Sequence, residues 1–470
     1  MTSEPLASAK TGQSPEAPAR PATEGLPAKP TRDLTTLVTA VFERWRAEGL
    51  PFVVLRNHER LPAATGNDVD VLVPPADLRR AERLLIQAAA QAGYRLHNRA
   101  EFVPVSLFFY QPESLQQIQF DLFPSLTWRG MVLLAPREVL ARRVERGLFA
   151  VPHPVHEATL NLVTRLLYLG QVPEKYRPGI LAVARQEPEA LEAALTTLFG
   201  PAAANRLVSA VRQERWGAVE HDRGRWRRRL LGRRLCGQPV ATLTNWARDA
   251  ARLLRRAVRP PGLTVVLLGA DGCGKSTVLA GLREALRHTF NPGKGYVGHW
   301  KPMVLPLRRR LGRQPTTNPH AQPPRGRLAS LAVLAGHWLE YLIGIVLQFG
   351  PVRFRNGLVL MDRYHYDFAI DPRRYRLDVP PGVVRAMFNW LPAPDLVLVL
   401  DAPVEVLRRR KQEVPEAETR RQQEGFRELA ARLPQARLLN CAAPSEAVVR
   451  EATRQVLEHL AARQARRSRL

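Results

Sequence analysis

A short glycine-rich loop carries the clearest chemistry in the sequence. Residues 269–277 read G-A-D-G-C-G-K-S-T, which matches the pattern G-x-x-x-x-G-K-[ST]. The loop follows an apolar run at 263–268 and precedes a helical stretch at 278–288. Glycines let backbone N–H groups close around phosphate oxygens, and a helix that begins beside them adds its dipole. The sequence therefore predicts a nucleotide-phosphate site in a strand–loop–helix unit.

Individual loop residues have distinct expected roles. Lys275 is placed to reach the β- and γ-phosphates of a nucleotide, and the Ser276 hydroxyl is placed to hold Mg²⁺. ATP and Mg²⁺ are therefore the expected cofactors. Cys273 is interpreted as a small filler of the loop in preference to a redox switch. The residues expected to bind the cofactor are Gly269, Gly272, Gly274, Lys275, Ser276 and Thr277.

Two further apolar runs end in charged residues. The run at 358–361 leads into Asp362 and Arg363, and the run at 395–400 leads into Asp401. An Asp at the end of a strand beside such a loop is well placed to hold Mg²⁺, directly or through water, and Arg363 could grip a phosphate with both guanidinium N–H groups. The arginine-rich segment 404–421 predicts a lid over the transferring phosphate, although Arg409 or Arg410 alone is more typical of a solvated helix face.

Three motifs together resemble one family. The segments GADGCGKST, LMDRYHYD and LDAPVEVLRRRKQEVPEAE occur in the order typical of the thymidylate kinase family of P-loop nucleoside monophosphate kinases, over about residues 262–465. The resemblance implies that Asp271 binds a sugar hydroxyl of the acceptor and that Asp362 and Arg363 contact the acceptor phosphate and the metal. Because Gly272 stands where some members have arginine, it also implies a catalytic arginine from the lid. The residues expected to act in catalysis are Lys275, Asp271, Arg363, Arg409, Arg410, Arg420 and Arg421.

The acceptor-binding segments depart from that family. The R-E-P-G segment, whose arginine holds the acceptor phosphate, is missing from 291–300, and the base-reading S-x-x-A-Y-Q segment is replaced at 366–375. The triplet at 318–320 is also unfamiliar for thymidylate kinase proper. The sequence therefore favours kinase chemistry on an acceptor other than thymidylate.

A second set of carboxylates lies near the amino terminus. Asp68 and Asp70 are two residues apart in a strand and so share one face, and Asp121 could join them from a neighbouring strand. Three such carboxylates can hold two Mg²⁺ ions for nucleotidyl transfer. Residues 35–145 resemble the nucleotidyltransferase fold, but 55–58 replace the Gly-Ser motif that holds a triphosphate. We expect the fold without the transfer activity.

The amino-acid composition limits the class of protein to which these sites can belong. The chain has 470 residues, of which 45% are hydrophobic and 24% charged, and this excludes a wholly disordered, collagenous or disulfide-stapled protein. The net charge of +27 favours anionic partners, although GC-rich coding bias, which enriches Arg, Ala and Pro, is an equal explanation. Three well-separated cysteines predict neither disulfides nor zinc, and a reducing cytoplasm is the expected compartment. 

The predicted fold class is α/β, with four regions. We expect a disordered tail at 1–32, a nucleotidyltransferase-like α/β domain at 33–150, a helical and basic connector at 151–260, and a P-loop kinase domain with a helix-flanked parallel sheet at 261–470. Residues 206–259 hold fifteen Arg against four acids. The tryptophans Trp216, Trp226 and Trp246 there fit either stacking platforms or helix packing. The apolar stretch 328–350 favours a buried helix over a membrane span, because His337 and Glu340 are costly in lipid.

The preferred function is that of an ATP-dependent phosphotransferase, transferring the γ-phosphoryl group to a nucleoside monophosphate or a related phosphorylated acceptor. One alternative is a non-catalytic ATP-binding regulatory or docking protein that uses the basic connector. Another is a bifunctional kinase and nucleotidyltransferase. The expected partners are nucleotide substrates and the small phosphorylated acceptor, with an anionic surface for the connector and a homodimer as further expectations.

Overall fold

The computed structural model of the chain describes residues 32–64, 68–302, 322–412 and 414–468. The expected tail 1–32 lies outside them except for Arg32, which already begins the first helix. The unfamiliar triplet 318–320 also lies outside the described residues.

The first unit is built on a mixed sheet. Its elements are α1 (Arg32–Ala47), β1 (Val53–Val54), β2 (Asp68–Leu72), α2 (Leu78–Gln91), β3 (Arg95–Glu101), β4 (Val105–Tyr110), β5 (Gln117–Phe123), β6 (Leu126–Trp128), β7 (Met131–Leu134), α3 (Pro136–Ala141), β8 (Val144–Arg146) and β9 (Phe149–Val151). Five strands pair in the order β1–β2–β5–β4–β3, with β2 and β5 parallel and the other neighbours antiparallel. Apolar faces of α1 and α2 complete its core with Phe42, Trp45, Phe109 and Phe120.

The middle of the chain is helical. It contains α4 (Pro154–Tyr168), α5 (Arg177–Gln186), α6 (Pro188–Phe199), α7 (Pro201–Arg212), α8 (Trp216–His221), α9 (Arg223–Gly237) and α10 (Pro239–Val258). Helices α4 to α9 share a core of their own, which also includes Trp128 from β6. Trp216 and Trp226 are buried in this core, so the interpretation of these two as stacking platforms is wrong, and helix packing explains them.

The second sheet follows the helical region. Its unit contains β10 (Leu263–Leu268), α11 (Lys275–Ala285), β11 (Tyr296–His299), α12 (Arg327–Gly344), α13 (Gly350–Phe354), β12 (Leu358–Asp362), α14 (Asp367–Ile370), α15 (Pro381–Phe388), β13 (Leu396–Asp401), α16 (Val404–Arg410), α17 (Glu416–Arg432), β14 (Ala436–Asn440) and α18 (Ser445–Ser468). The strand order is β11–β12–β10–β13–β14, and every neighbouring pair is parallel. The predicted parallel sheet is confirmed. Because parallel strands end at one edge, this sheet gathers the loops after β10, β11 and β12 at its carboxyl edge.

The arginine-rich segment is not one helix. Helix α16 ends at Arg410, and α17 begins at Glu416 directly after Pro415. Proline disfavours helical backbone in the residue before it, which separates the two helices. Arg420 and Arg421 therefore lie on a different helix from Arg409.

The apolar stretch 328–350 differs from the expected buried helix. Helix α12 continues through a π-helical turn at Ile345–Phe349 into α13, and the continuous helix Arg327–Phe354 is long and apolar enough to cross a membrane by length and composition. Only a third of its most apolar window is buried. The inward side includes His337 and Glu340, whereas Leu328 is exposed. The inward polar groups have partners, since the Lys301 ammonium donates to the Glu340 carboxylate.

The two sheet-containing units pack directly on each other. His97 Nε2 of β3 lies 3.0 Å from the Thr289 hydroxyl, and Asn98 Nδ2 donates to the side-chain oxygen of Asn356 at 3.0 Å. His97 and Asn98 lie within β3, Thr289 and Asn356 lie in turns, and all four are buried. Buried polar groups that satisfy one another across an interface fix its register.

Candidate active site

The glycine-rich loop follows β10 in the chain and packs closely against Leu400 of β13 and Leu407 of α16. Gly269 has φ +142°, and a Cβ there would lie 2.5 Å from the Leu400 carbonyl oxygen. Gly272 has φ +85°, and its Cβ would lie 2.6 Å from the Leu407 carbonyl oxygen. Both the backbone conformation and the close approach exclude a side chain. This is the physical reason for glycine at these two loop positions.

Lys275 begins helix α11, and its side chain is buried under the loop. The ammonium donates to the carbonyl oxygens of Gly269 at 2.9 Å and Ala270 at 3.0 Å. Ser276 and Thr277 follow in the first helical turn and are exposed. The loop therefore presents a positive charge, two hydroxyls and a helix N-terminus on one side, which together suit phosphate oxygens.

Asp362 meets the requirements of a Mg²⁺ ligand. The parallel register places it beside Leu267, at the end of β12 and next to the loop. Its Oδ2 lies 3.4 Å from His299 Nδ1, whereas Oδ1 is buried without a hydrogen-bond partner among the residues that the structure describes. Burial raises the pKa of Asp362, but the His299 hydrogen bond and the charge of Lys275 outweigh it, and the pKa lies below its ordinary value. An ionised carboxylate with a spare oxygen fits Mg²⁺, which Asp362 and Ser276 would hold.

Arg363 is anchored by two carboxylates. It donates to Asp367 Oδ2 at 2.8 Å and to Asp271 of the loop, and its backbone φ of +70° turns the chain sharply after β12. Asp271 also accepts a hydrogen bond from Arg374, which in turn pairs with Asp371 at 3.0 Å. Burial lowers the pKa of Arg363, but Asp367 and Asp271 together raise it above its ordinary value. Two arginines are thus held charged beside the loop.

The four candidate lid arginines do not converge. Arg409 is exposed on α16. Arg420 pairs with Glu416 at 2.8 Å, and Arg421 pairs with Glu418 at 2.6 Å, both within α17. Arg410 alone of the four lines the cavity of about 190 Å³ beside the loop, where Gly274 and Thr277 also lie, and it donates to the Cys441 carbonyl oxygen at 2.9 Å.

Sequence reasoning missed several neighbours of the loop. Lys411 follows α16, and its Cβ lies 3.4 Å from the position that a Cβ on Gly272 would occupy. Cys441 follows β14 and lines the same cavity as Cys273. A hydrogen bond with Cys441, and then the charge of Lys275, lower the pKa of Cys273. In the sequence, Lys411 was signalled only as one member of the basic segment 404–421. Nothing signalled the thiol pair, because its members lie on distant segments.

Three ring side chains pack together beside Arg363 and Arg374, and sequence reasoning did not identify them. The ring of Trp300, which follows β11, lies 5.4 Å from that of Tyr375 and 5.1 Å from that of His337. The Tyr375 side chain is close enough to contribute to the raised pKa of Arg363. Flat aromatic faces next to positive charge suit a ligand with a planar ring and a phosphate.

The three amino-terminal carboxylates converge as predicted. Asp70 and Asp121 are direct partners in the parallel register of β2 and β5, and ligand oxygens of these two and Asp68 lie within 4.8 Å of one another. Burial and the charge of Asp70 raise the pKa of Asp121 to about 7. Arg56 donates to both oxygens of Asp70, at 2.9 Å for Nη2. An arginine therefore already neutralises one of the three carboxylates.

Comparison with known proteins adds little. No known protein family and no curated protein matches the chain. The crystal structure of thymidylate kinase from Ehrlichia chaffeensis is similar at 16% identity and a TM-score of 0.30, covering 41% of this chain and 97% of that one. The chain's own parallel sheet and phosphate-binding loop are compatible with a P-loop kinase fold.

Proposed function

We propose that the chain is an ATP-dependent phosphotransferase that acts on a nucleoside monophosphate or a related phosphorylated acceptor. One observation carries the proposal: Asp362 ends β12, and the adjacent parallel strand β10 leads into the loop before Lys275, the first residue of α11. Gly269 and Gly272 of that loop cannot carry side chains. Such a site binds a nucleotide triphosphate with Mg²⁺, which would neutralise charge on the transferring phosphoryl group. 

Different residues of the chain bind the nucleotide, bind the acceptor and stabilise the transition state. The loop N–H groups and Lys275 bind and orient the nucleotide phosphates. Arg363 and Arg374 attract the acceptor phosphate, and their carboxylate partners fix the guanidinium planes. The Trp300 and Tyr375 rings would receive a planar part of the acceptor. Arg410 and Lys411 are the lid cations nearest the loop and would stabilise charge in the transition state.

Product analysis tests the proposal and separates it from its alternatives. The full chain is mixed with Mg-ATP and a panel of nucleoside monophosphates and phosphorylated sugars, and ADP release is measured with and without each acceptor. Acceptor-dependent ADP supports the kinase. A thermal shift with Mg-ATP but no acceptor-dependent ADP would instead favour a non-catalytic ATP-binding protein. ATP at about 100 times its Kd stabilises a fold by about 2.7 kcal/mol, so binding alone is measurable.

The convergence of Asp68, Asp70 and Asp121 is the one observation in favour of a second candidate activity, metal-dependent nucleotidyl transfer, and the Arg56–Asp70 pair is the observation against it. Labelled ATP, Mn²⁺ and a lysate provide the test. AMP transfer that is lost in Asp68→Ala/Asp70→Ala but retained in Lys275→Ala would establish a bifunctional enzyme. Since Arg56 pairs with Asp70, we expect no transfer from this unit.

A further inference from the structure

Helix α10 is amphipathic, and it turns its apolar side away from the rest of the molecule. Val240 is 75% exposed, Leu254 67% and Val258 71%. At 3.6 residues per turn, its outward large apolar side chains cover roughly 140° of the helix circumference. We name them the α10 strip: Val240, Leu243, Leu253, Leu254 and Val258.

Contacts on the polar side fix this orientation. Thr242 is the buried residue of the helix. Asn245 Nδ2 donates to the Gly130 carbonyl oxygen at 2.9 Å, and Trp246 Nε1 donates to the Arg129 carbonyl oxygen at 2.9 Å. A helix that packs through its polar side leaves a large apolar area in water, which is unfavourable unless another apolar phase covers it.

Charge identifies what covers the strip. Arg248, Arg255 and Arg259 are exposed along one margin of the strip, and α9, which packs against α10, adds exposed arginines. The segment 206–259 carries fifteen Arg against four acids. A second copy would bring like charges together, and a nucleic acid would use the arginines but not the apolar strip. An anionic lipid surface uses both, since an interfacial helix buries its apolar side while its arginines contact headgroups.

A second helix with exposed apolar side chains contacts α10 through one of its arginines. The Arg256 guanidinium of α10 lies 4.1 Å from the ring centroid of Phe354, the last residue of α13. That residue ends the apolar helix Arg327–Phe354, where Leu328 is 84% exposed and Leu347 64%. Exposed apolar side chains therefore occur on two helices that meet at Phe354.

We propose that the α10 strip docks the protein on anionic phospholipid bilayers, with α10 lying in the plane of the interface. The proposal concerns a surface distinct from the phosphate-binding loop and is independent of the kinase activity. A peripheral attachment of this kind is reversible, and it weakens at high salt because part of the attraction is electrostatic.

Vesicle sedimentation of the full chain tests the proposal. We expect binding to vesicles of phosphatidylcholine mixed with phosphatidylglycerol, and much weaker binding to phosphatidylcholine alone. Leu243→Glu/Leu254→Glu should weaken partition at least about tenfold, because it places two charges in the apolar strip. Arg248→Gln/Arg259→Gln should weaken it by about fivefold for each arginine. The matched control is Trp390→Glu, which changes an 84% exposed residue elsewhere and should bind as the unsubstituted chain does.

The variant Leu243→Ala/Leu254→Ala controls for misfolding of the glutamate variant, because alanine keeps the helix propensity of α10 while it removes apolar area. It should show an unchanged unfolding midpoint and an intermediate loss of vesicle binding. The proposal would be overturned if the unsubstituted chain did not bind anionic vesicles, whether or not the glutamate variant changed its oligomeric state. It would also be overturned if the glutamate variant bound vesicles as well as the unsubstituted chain does. Binding of duplex DNA that survives the glutamate substitutions, without vesicle binding, would also overturn it.

Discussion

Asp271 of the glycine-rich loop accepts a hydrogen bond from Arg363, the residue that follows the neighbouring strand β12. The pair joins two loops at the carboxyl edge of the parallel sheet, and Arg374 adds a second arginine to the same carboxylate. The nucleotide loop and the arginines of the proposed acceptor site are thereby one connected structure. A change in one is expected to alter the other.

Asp271→Asn tests this connection. The substitution removes the charge shared by two largely buried arginines, which leaves part of their positive charge uncompensated. Breaking a buried pair costs about 3 kcal/mol, so the free energy of unfolding should fall by that order and the acceptor KM should rise. Urea unfolding and initial rates measure the two effects. Glu214→Gln is the control, since its pair with Arg185 is more than half exposed and contributes little. Stability and KM unchanged in Asp271→Asn would refute the connection.

Thymidylate is expected to be a poor acceptor. The segments 291–300 and 366–375 lack the phosphate-gripping and base-reading residues of the thymidylate kinase family, which the chain's motifs resemble. A site built to hydrogen-bond a base discriminates strongly, so the loss of those groups should cost thymidylate about 100-fold or more in kcat/KM against the best acceptor. A ranking of the acceptor panel by kcat/KM measures this. Thymidylate at the head of that ranking would show the prediction to be wrong.

Gly272→Ala should damage the loop. Its Cβ would meet the Leu407 carbonyl oxygen at 2.6 Å, and φ +85° is unfavourable for alanine. We expect a loss of about 1–3 kcal/mol in stability and weaker Mg-ATP binding. Gly232→Ala in α9 is the matched control, because nothing lies within 4 Å of its Cβ position and alanine favours a helix by about 0.5–1 kcal/mol. Denaturant unfolding and ATP titration distinguish the two, and a Gly272→Ala protein as stable as the unsubstituted chain would argue against this loop geometry.

His97 makes the contact between the two sheet units sensitive to acid. Burial, and then the charge of Arg463, lower the pKa of His97 to about 3. The unfolded chain binds a proton at this residue below its ordinary pKa of about 6.5 while the folded chain does not, so stability falls as pH falls from about 6.5 towards 3. The free energy of unfolding then falls by up to about 1.4 kcal/mol for each pH unit.

His97→Gln should remove that share of the pH dependence. Urea unfolding of both proteins at several pH values between 7 and about 4 measures it. The difference in unfolding free energy between the two proteins should shrink steadily as the pH is lowered. Parallel pH curves would mean that His97 titrates normally in the folded protein.

Much of the fold was predictable from local patterns. The strand Leu263–Leu268 has the bounds that its apolar run predicts. The convergence of the three amino-terminal carboxylates was also predictable, because side chains alternate along a strand and parallel partners stand side by side.

Contacts between distant segments were not predictable. Arg374, Trp300 and Cys441 reach the candidate site through tertiary packing, which no local spacing encodes. Apolar periodicity alone also predicts that α10 and α12 turn their apolar sides inward. Helix α10 instead packs through polar residues such as Asn245, and α12 buries Glu340 together with Leu334 and Tyr341, because specific partners satisfy the polar groups.

The most direct test of the kinase assignment is the rate of acceptor-dependent ADP release by the full chain and by Lys275→Ala. Lys275 is the buried cation under the loop, and losing one preorganised charge-stabilising group typically costs at least about 100-fold in turnover. Lys294→Ala, an exposed lysine outside the loop, is the control and should keep the original rate. We expect a fall of at least about 100-fold in Lys275→Ala alone. Equal turnover in all three proteins would contradict the kinase assignment.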